Sequence, residues 1–424
     1  MGIHRTKFGR EIAKNEHGRQ QSRHDRADTN DEPNLIFSCS ITELSGKCLD
    51  ITPYASPCRF RMLSCLSLEH ENRLDVFEFD QLPSGEYCAV SYVWRGVPVP
   101  DYVDSGTFTV RGAEDGDPTS LDVLRDIVWV AGEEGKKYLW LDRIGIVQSD
   151  KSDKAWQIIQ MFNIYKESTC IIVPGGLGRL AFSNDDTTWM DRAWTLQEAL
   201  APKRDDAIVL YSQNPSLQFE THVASLSFID TREKPLRSGR TSVLAAYMTL
   251  DDVLTVAKYS IHRPFGFNQA HAQPLIGARI TGVGQRQAIW QCALMRTSSR
   301  PVDMIFSVMH FFGILLNPKE FEDDDRLGVT VRFAQGSWKT HERVYWTTRT
   351  IGYARCILWR RLNKCPHFPM FATRSKSVSV VQRLSFGVPL EVLENDWMGD
   401  FPVCSGGMRY FVDATYAAMK MLTE

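Results

Sequence analysis

The sequence predicts an α/β fold: a parallel sheet flanked by helices, followed by a mostly helical C-terminal region. Three observations carry that prediction. Short, β-rich apolar runs stand at Tyr87–Trp94, Tyr138–Asp142 and Thr169–Val173. Segments of helical periodicity, long enough for crossovers, separate each run from the next. A further helix-like stretch, Trp189–Leu200, leads into a fourth strand signal at Ile208–Tyr211. Alternation of this kind yields parallel strands joined by right-handed crossovers.

Taken in order, residues 1–33 are rich in charged residues, Gln and Asn, with hardly an apolar residue after Ile12. They are expected to be disordered, because they bury too little surface to offset ordering entropy. Residues 34–83 form a lead-in of short apolar pieces, broken by Pro53 and Pro57, with one or two strands such as Leu74–Phe79. Residues 84–215 hold the α/β unit. Its first strand stops at Arg95-Gly96, and turn chemistry follows at Gly112, Asp115-Gly116 and Asp117-Pro118. Thr119 is the expected N-cap of a helix with Leu121, Leu124, Ile127, Val128 and Ala131 as its stripe, and Gly132 suits its stop. After the second strand, Lys154–Tyr165 puts Ala155, Ile158, Phe162 and Tyr165 on one helical face. The third strand ends at Pro174-Gly175-Gly176. Residues 216–424 read as helix-rich, with helices at Val243–Ala257, Arg286–Leu294 and Pro301–Leu316, and a strand or helix at Ile351–Trp359. Gly282-Val283-Gly284 lacks the third glycine and the preceding strand of a dinucleotide fingerprint.

Composition narrows the function classes. A chain of 424 residues holds two or three domains, and its 43% hydrophobic and 24% charged content is that of a globular protein. The net charge of −2, without a basic stripe, argues against nucleic acid as a partner. Ten cysteines are scattered without a CxxC pair; Cys58, Cys65 and His70, like Cys356, Cys365 and His367, lack zinc spacing, so no metal is expected. Scattered thiols and the absence of a secretory signal point to a cytoplasmic protein. The most apolar segment, Val302–Leu316, contains Asp303, Ser307 and His310 and is too short for a transmembrane segment. Met1-Gly2-Ile3-His4-Arg5-Thr6 fits the loose myristoylation pattern, which arises often by chance.

In open α/β sheets, ligands sit outside the carboxyl ends of the strands. Those ends carry Tyr92, Trp94 and Arg95, then Asp142 and Arg143, then Gly175 and Gly176. A carboxylate following Tyr138-Leu139-Trp140-Leu141 needs a partner, and Arg143 and Arg192 are available. Ser91 lacks the glycines of a nucleophile elbow, which argues against a hydrolase triad. Glu198 by itself is a helical carboxylate, exposed or paired with a nearby arginine, and Trp94 and Trp194 by themselves are core aromatics.

Three stretches together resemble the fungal heterokaryon incompatibility (HET) domain: Tyr87–Gly96 (YCAVSYVWRG), Leu139–Gln148 (LWLDRIGIVQ) with its following helix, and Arg192–Ala201 (RAWTLQEALA). The sequence departs from the family pattern at Arg95, at Gly145 where Cys is common, and at Val147 where Asn is common. The resemblance implies self/non-self recognition and programmed cell death, acting through self-association or a partner protein. HET domains are in turn similar to Toll/interleukin-1 receptor (TIR) domains, which implies a TIR/flavodoxin-like fold. Here that likeness lies in Tyr87–Tyr92 and in Trp194-Thr195-Leu196-Gln197-Glu198, which resembles the segment bearing the catalytic glutamate of TIR domains that cleave NAD. It implies Glu198 as the catalytic residue, with Trp94, Arg95, Asp142, Arg143 and Trp194 binding NAD as substrate and with no further cofactor. Cleavage of the nicotinamide–ribose bond needs one carboxylate beside an oxocarbenium-like centre and aromatics to hold the rings. Arg95 or Arg143 would hold the pyrophosphate. The alternative is a non-enzymatic signalling module that acts by assembly alone, and a stand-alone nucleotide-binding module is a third reading.

Overall fold

The computed structural model describes residues 33–99, 106–213, 244–259, 263–282 and 284–339. The sequence expectations for residues 1–32, and for Ile351–Trp359 with the rest of the chain from 340 onward, lie outside the described residues.

Eleven strands are described: β1 (Asn34–Ser40), β2 (Cys48–Leu49), β3 (Phe60–Ser64), β4 (Arg73–Phe79), β5 (Tyr87–Tyr92), β6 (Thr107–Val110), β7 (Thr119–Ser120), β8 (Tyr138–Trp140), β9 (Thr169–Val173), β10 (Ala207–Gln213) and β11 (Leu244–Thr249). Eight of them make one sheet in the order β1-β4-β3-β8-β5-β9-β10-β11, and β2-β6-β7 make a small second one. The predicted strands at Tyr87, Tyr138 and Thr169 are parallel neighbours, with β5 between β8 and β9, and β10 extends the parallel group beside β9.

The sheet as a whole is mixed, which corrects the purely parallel expectation. The lead-in adds β3 antiparallel to β8, then β4 and β1, also antiparallel. Between β3 and β4 stands only the six-residue helix Cys65–His70. That is too short for the crossover that a parallel pair requires. At the other edge β11 pairs antiparallel with β10 from Gln213↔Leu244 to Ile208↔Thr249. The single helix expected over Val243–Ala257 is therefore a strand followed by the helix Leu250–Tyr259. Leu and Ala favour helix locally, but pairing with β10 and burial on both faces override that preference.

Strand alternation sorts the core into two layers. Tyr87, Ala89, Cys170, Ile172 and Val209 face one layer, covered by the helices Lys151–Lys166, Trp194–Leu200 and those after Leu250. Cys88, Val90, Tyr92, Ile171 and Val173 face the other, covered by the helix Leu121–Glu133. That helix is capped by Ser120, whose hydroxyl accepts from the N–H groups of Asp122 and Val123, while the expected cap Thr119 lies in β7. Asp150 caps Lys151–Lys166 in the same way. The long helix expected at Pro301–Leu316 is instead a short helix, Asp303–Phe306, and a 3-10 turn, Met309–Phe312, stopped by Gly313 at φ 69°.

The lead-in is bonded into the α/β unit by a buried charge cluster. Arg61, fully buried on β3, donates from Nε to Glu78 at 3.1 Å and from Nη1 to Asp153 at 3.0 Å and to the carbonyl of Gly145 at 2.9 Å. Asp153 also accepts the backbone N–H groups of Cys58 and Val147. One arginine thus joins β3, β4, the loop after β8 and the start of the Lys151–Lys166 helix.

Candidate functional site at the carboxyl edge

The carboxyl ends of β5 and β8 meet at Asp142. Its carboxylate accepts a hydrogen bond from the Tyr92 hydroxyl and another from Trp94 Nε1 at 2.7 Å. The partner expected for Asp142 is thus a phenol and an indole rather than an arginine. Burial raises the Tyr92 hydroxyl well above its ordinary pKa, and the charge of Asp142 adds to the effect. Arg143, buried, lies 5.3 Å from the ring centres of both Tyr92 and Trp94. Its Nη2 donates to the Trp94 carbonyl at 2.6 Å, and its Nη1 to the carbonyl of Asp117. The guanidinium is therefore tied to the loops around it.

Those loops are in contact with each other. The Val97 N–H donates to the Gly175 carbonyl at 2.9 Å, and the Gly96 N–H donates to Asp117 Oδ2 at 2.6 Å. A Cβ on Gly96 would lie 1.8 Å from the Gly175 oxygen, so only glycine allows this approach. Gly176 takes φ 83° to turn the chain away from β9. Arg95 points outward and holds the Asp115 carbonyl through Nε at 2.8 Å.

Glu198 stands on the other face of β5. Ser91 shares the side of the strand that carries Tyr87 and Ala89, and its hydroxyl donates to Glu198 Oε2 at 2.5 Å. Trp189 Nε1 in turn donates to Ser91 Oγ at 2.8 Å. Both Ser91 and Glu198 are buried. Burial is the main cause pushing the Glu198 carboxyl up to about 8, and the charge of Asp142 adds to it; the bond from Ser91 and the fields of Arg296 and Arg192 act in the opposite direction. At neutral pH this carboxyl is mostly protonated. The sequence reading of Glu198 as exposed or paired with an arginine is replaced by a buried carboxyl bonded to a serine.

Trp194 sits, partly buried, with the layer that contains Trp189 and Leu196, near Asp303. Trp94 packs against the opposite layer. Of the predicted site residues, the fold gathers Trp94, Asp142 and Arg143, leaves Arg95 on their rim, and places Glu198 and Trp194 across the sheet.

Sequence reasoning passed over three partners. Tyr92 stood at a predicted strand end, and Ser91 was weighed only as a nucleophile. Nothing local marks Trp189, which reaches Ser91 from 98 residues away. Met190, His271, Cys292, Met295 and Arg296 line a shallow indentation beside this second cluster that has no room for a ligand.

Residues 87–180 match the family model described as heterokaryon incompatibility protein (HET). The match begins at β5, ends just beyond β9, and contains the Trp94–Asp142–Arg143 cluster. No curated protein and no solved structure matches the chain.

Proposed function

We propose that this chain acts in self/non-self recognition and cell death of the heterokaryon incompatibility type, and that the described conformation is its closed, resting form. The carrying observation is the HET match over residues 87–180, which spans the parallel strands from β5 to β9. Closure is supported by the edge itself: Gly96 against Gly175, Arg143 held by two carbonyl oxygens, and Glu198 buried beneath Ser91. An edge packed in this way favours signalling through self-association or a partner protein. Induced expression of the full chain in a filamentous fungal host tests the proposal. Growth arrest and lysis are expected; healthy growth at high expression of folded protein overturns it.

A second reading, NAD cleavage, is favoured by one observation: a carboxyl with a strongly raised pKa lies at the carboxyl end of a parallel strand group. Numbered within that group, the order is second-first-third-fourth, the winding of flavodoxin-like sheets, whose ligands bind beside the first strand. Glu198 stabilises an oxocarbenium-like centre only when ionised, so this reading requires the edge to open and water to reach it. Trp94, Asp142 and Trp194 would then flank the substrate, with Arg95 or Arg143 on its pyrophosphate. Nicotinamide release from NAD at high protein concentration, lost in Glu198→Gln, is the expected result; no release by wild type in any assembled form overturns it.

A further inference from the structure

We infer that residues 263–282 and 284–303 form a built-in latch on the Glu198 helix, and that release of the Arg296–Thr297 turn is the step that opens the edge. This inference rests on the closed-form reading above. The helix Trp194–Leu200 has seven residues and no side-chain N-cap. A helix that short does not hold its position alone. Its end groups are satisfied from the later part of the chain. The Ala193 N–H donates to the Thr297 carbonyl at 2.9 Å, the Thr297 N–H donates to the Asp191 carbonyl at 2.6 Å, and Arg192 and Thr297 form a parallel bridge. Arg296 Nη1 donates to the Arg192 carbonyl at 2.9 Å and to Thr195 Oγ1 at 2.6 Å. At the other end Arg279 donates to the carbonyls of Ala199 and Arg204.

The turn differs from the packing around it. Phe267 stacks on Trp189 with ring centres 5.6 Å apart, and Phe265 is buried beside it, so the apolar part of this region is an ordinary core layer. Arg296 is instead a buried cation whose hydrogen bonds go to neutral groups, and burial depresses its pKa to about 10. Burying a charge without a paired carboxylate is costly, so this contact holds a geometry at the expense of stability. It is the part of the region that water can most readily replace. Once Arg296 and Thr297 withdraw, the start of the Trp194–Leu200 helix loses its anchors, and Ser91 and Glu198 beneath it become accessible.

The test uses the full chain and Arg296→Met, which keeps an apolar stem and removes the donors. Amide hydrogen exchange over residues 194–201 should rise about tenfold or more while residues 169–173 on β9 stay as protected as in wild type. An equal rise in both segments, or none in either, overturns the latch, because Arg296 would then be one more part of a single cooperative core. If Arg296→Met does not fold, the double variant Arg192→Cys/Thr297→Cys decides: oxidation across the bridge should slow exchange over 194–201 relative to the reduced form, and equal rates overturn the latch. In the fungal host, Arg296→Met should kill at lower expression than wild type, and equal killing overturns the regulatory role. A wild type that never kills defeats the proposed function, and the exchange comparison then decides the latch alone.

Discussion

Ser91 and Glu198, 107 residues apart, are joined by a hydroxyl-to-carboxyl hydrogen bond of 2.5 Å inside the layer between β5 and the Trp194–Leu200 helix. The bond ties the carboxyl end of β5 to the second half of that helix. The bond alone favours the ionised carboxylate, but burial in the surrounding layer penalises that form more, so the acid stays largely neutral.

Glu198→Gln should uncouple stability from pH. In wild type the folded carboxyl titrates near 8 rather than 4.5, so its contribution is full below pH 4.5 and is lost as pH rises toward 8. Gln imitates the protonated acid at every pH. The variant should match wild type near pH 5 and exceed it by roughly 3–5 kcal/mol near pH 9. Thermal unfolding of both proteins at several pH values checks this, and parallel curves would refute the buried neutral acid.

Arg61→Ala should be among the most damaging single changes. It leaves Glu78 and Asp153 buried, both exposed by 6% or less, without their cation. Removing one partner from a buried ion cluster costs about 3–5 kcal/mol. Denaturant unfolding should show that loss; a change under about 1 kcal/mol would mean water reaches the cluster.

Gly96→Ala should destabilise by about 2–3 kcal/mol, because the new methyl meets the Gly175 backbone oxygen and the two loops must shift apart to admit it. Gly145→Cys, which would restore the residue common in HET domains, drives its Cβ to 2.5 Å from Trp140 Nε1 and should also destabilise. Melting temperatures near wild type for both would show that the loops are looser than their contacts imply.

Asp142→Ala removes the acceptor shared by Tyr92 and Trp94. Leaving two half-buried donors unpaired costs about 2 kcal/mol. Trp94 should also shift its fluorescence as its indole N–H turns toward water. Unaltered stability and emission would indicate that the pair finds other acceptors.

Much of the framework was legible in advance because it rests on local pattern. Thr169–Val173 is a strand over the predicted residues, and the Tyr87 and Tyr138 runs pair with it or beside it in the predicted direction. The helix expected over Lys154–Tyr165 runs from Lys151 to Lys166, three residues earlier at its start, where Asp150 caps it, and one later at its end. In the lead-in, the expected strand Leu74–Phe79 is β4, but β1 and β3 were not marked by local pattern; their place comes from sheet pairing and from Arg61, whose partners lie 17 and 92 residues away.

The site divides along the same line. Spacing alone put Trp94, Asp142 and Arg143 at one edge, because strand ends in a parallel group must share a side of the sheet. Which face Glu198 and Trp194 occupy was decided by packing after β9, where the Trp194–Leu200 helix lies on the layer holding Ser91 and Trp189. The sequence by itself determined the parallel strand group and the residues at its carboxyl ends, since apolar periodicity is a property of neighbours in the chain. Only the tertiary structure decided that Glu198 is a buried acid under Ser91 and that Arg296 lies above its helix. Burial and field come from residues a hundred positions away, and no local pattern encodes them.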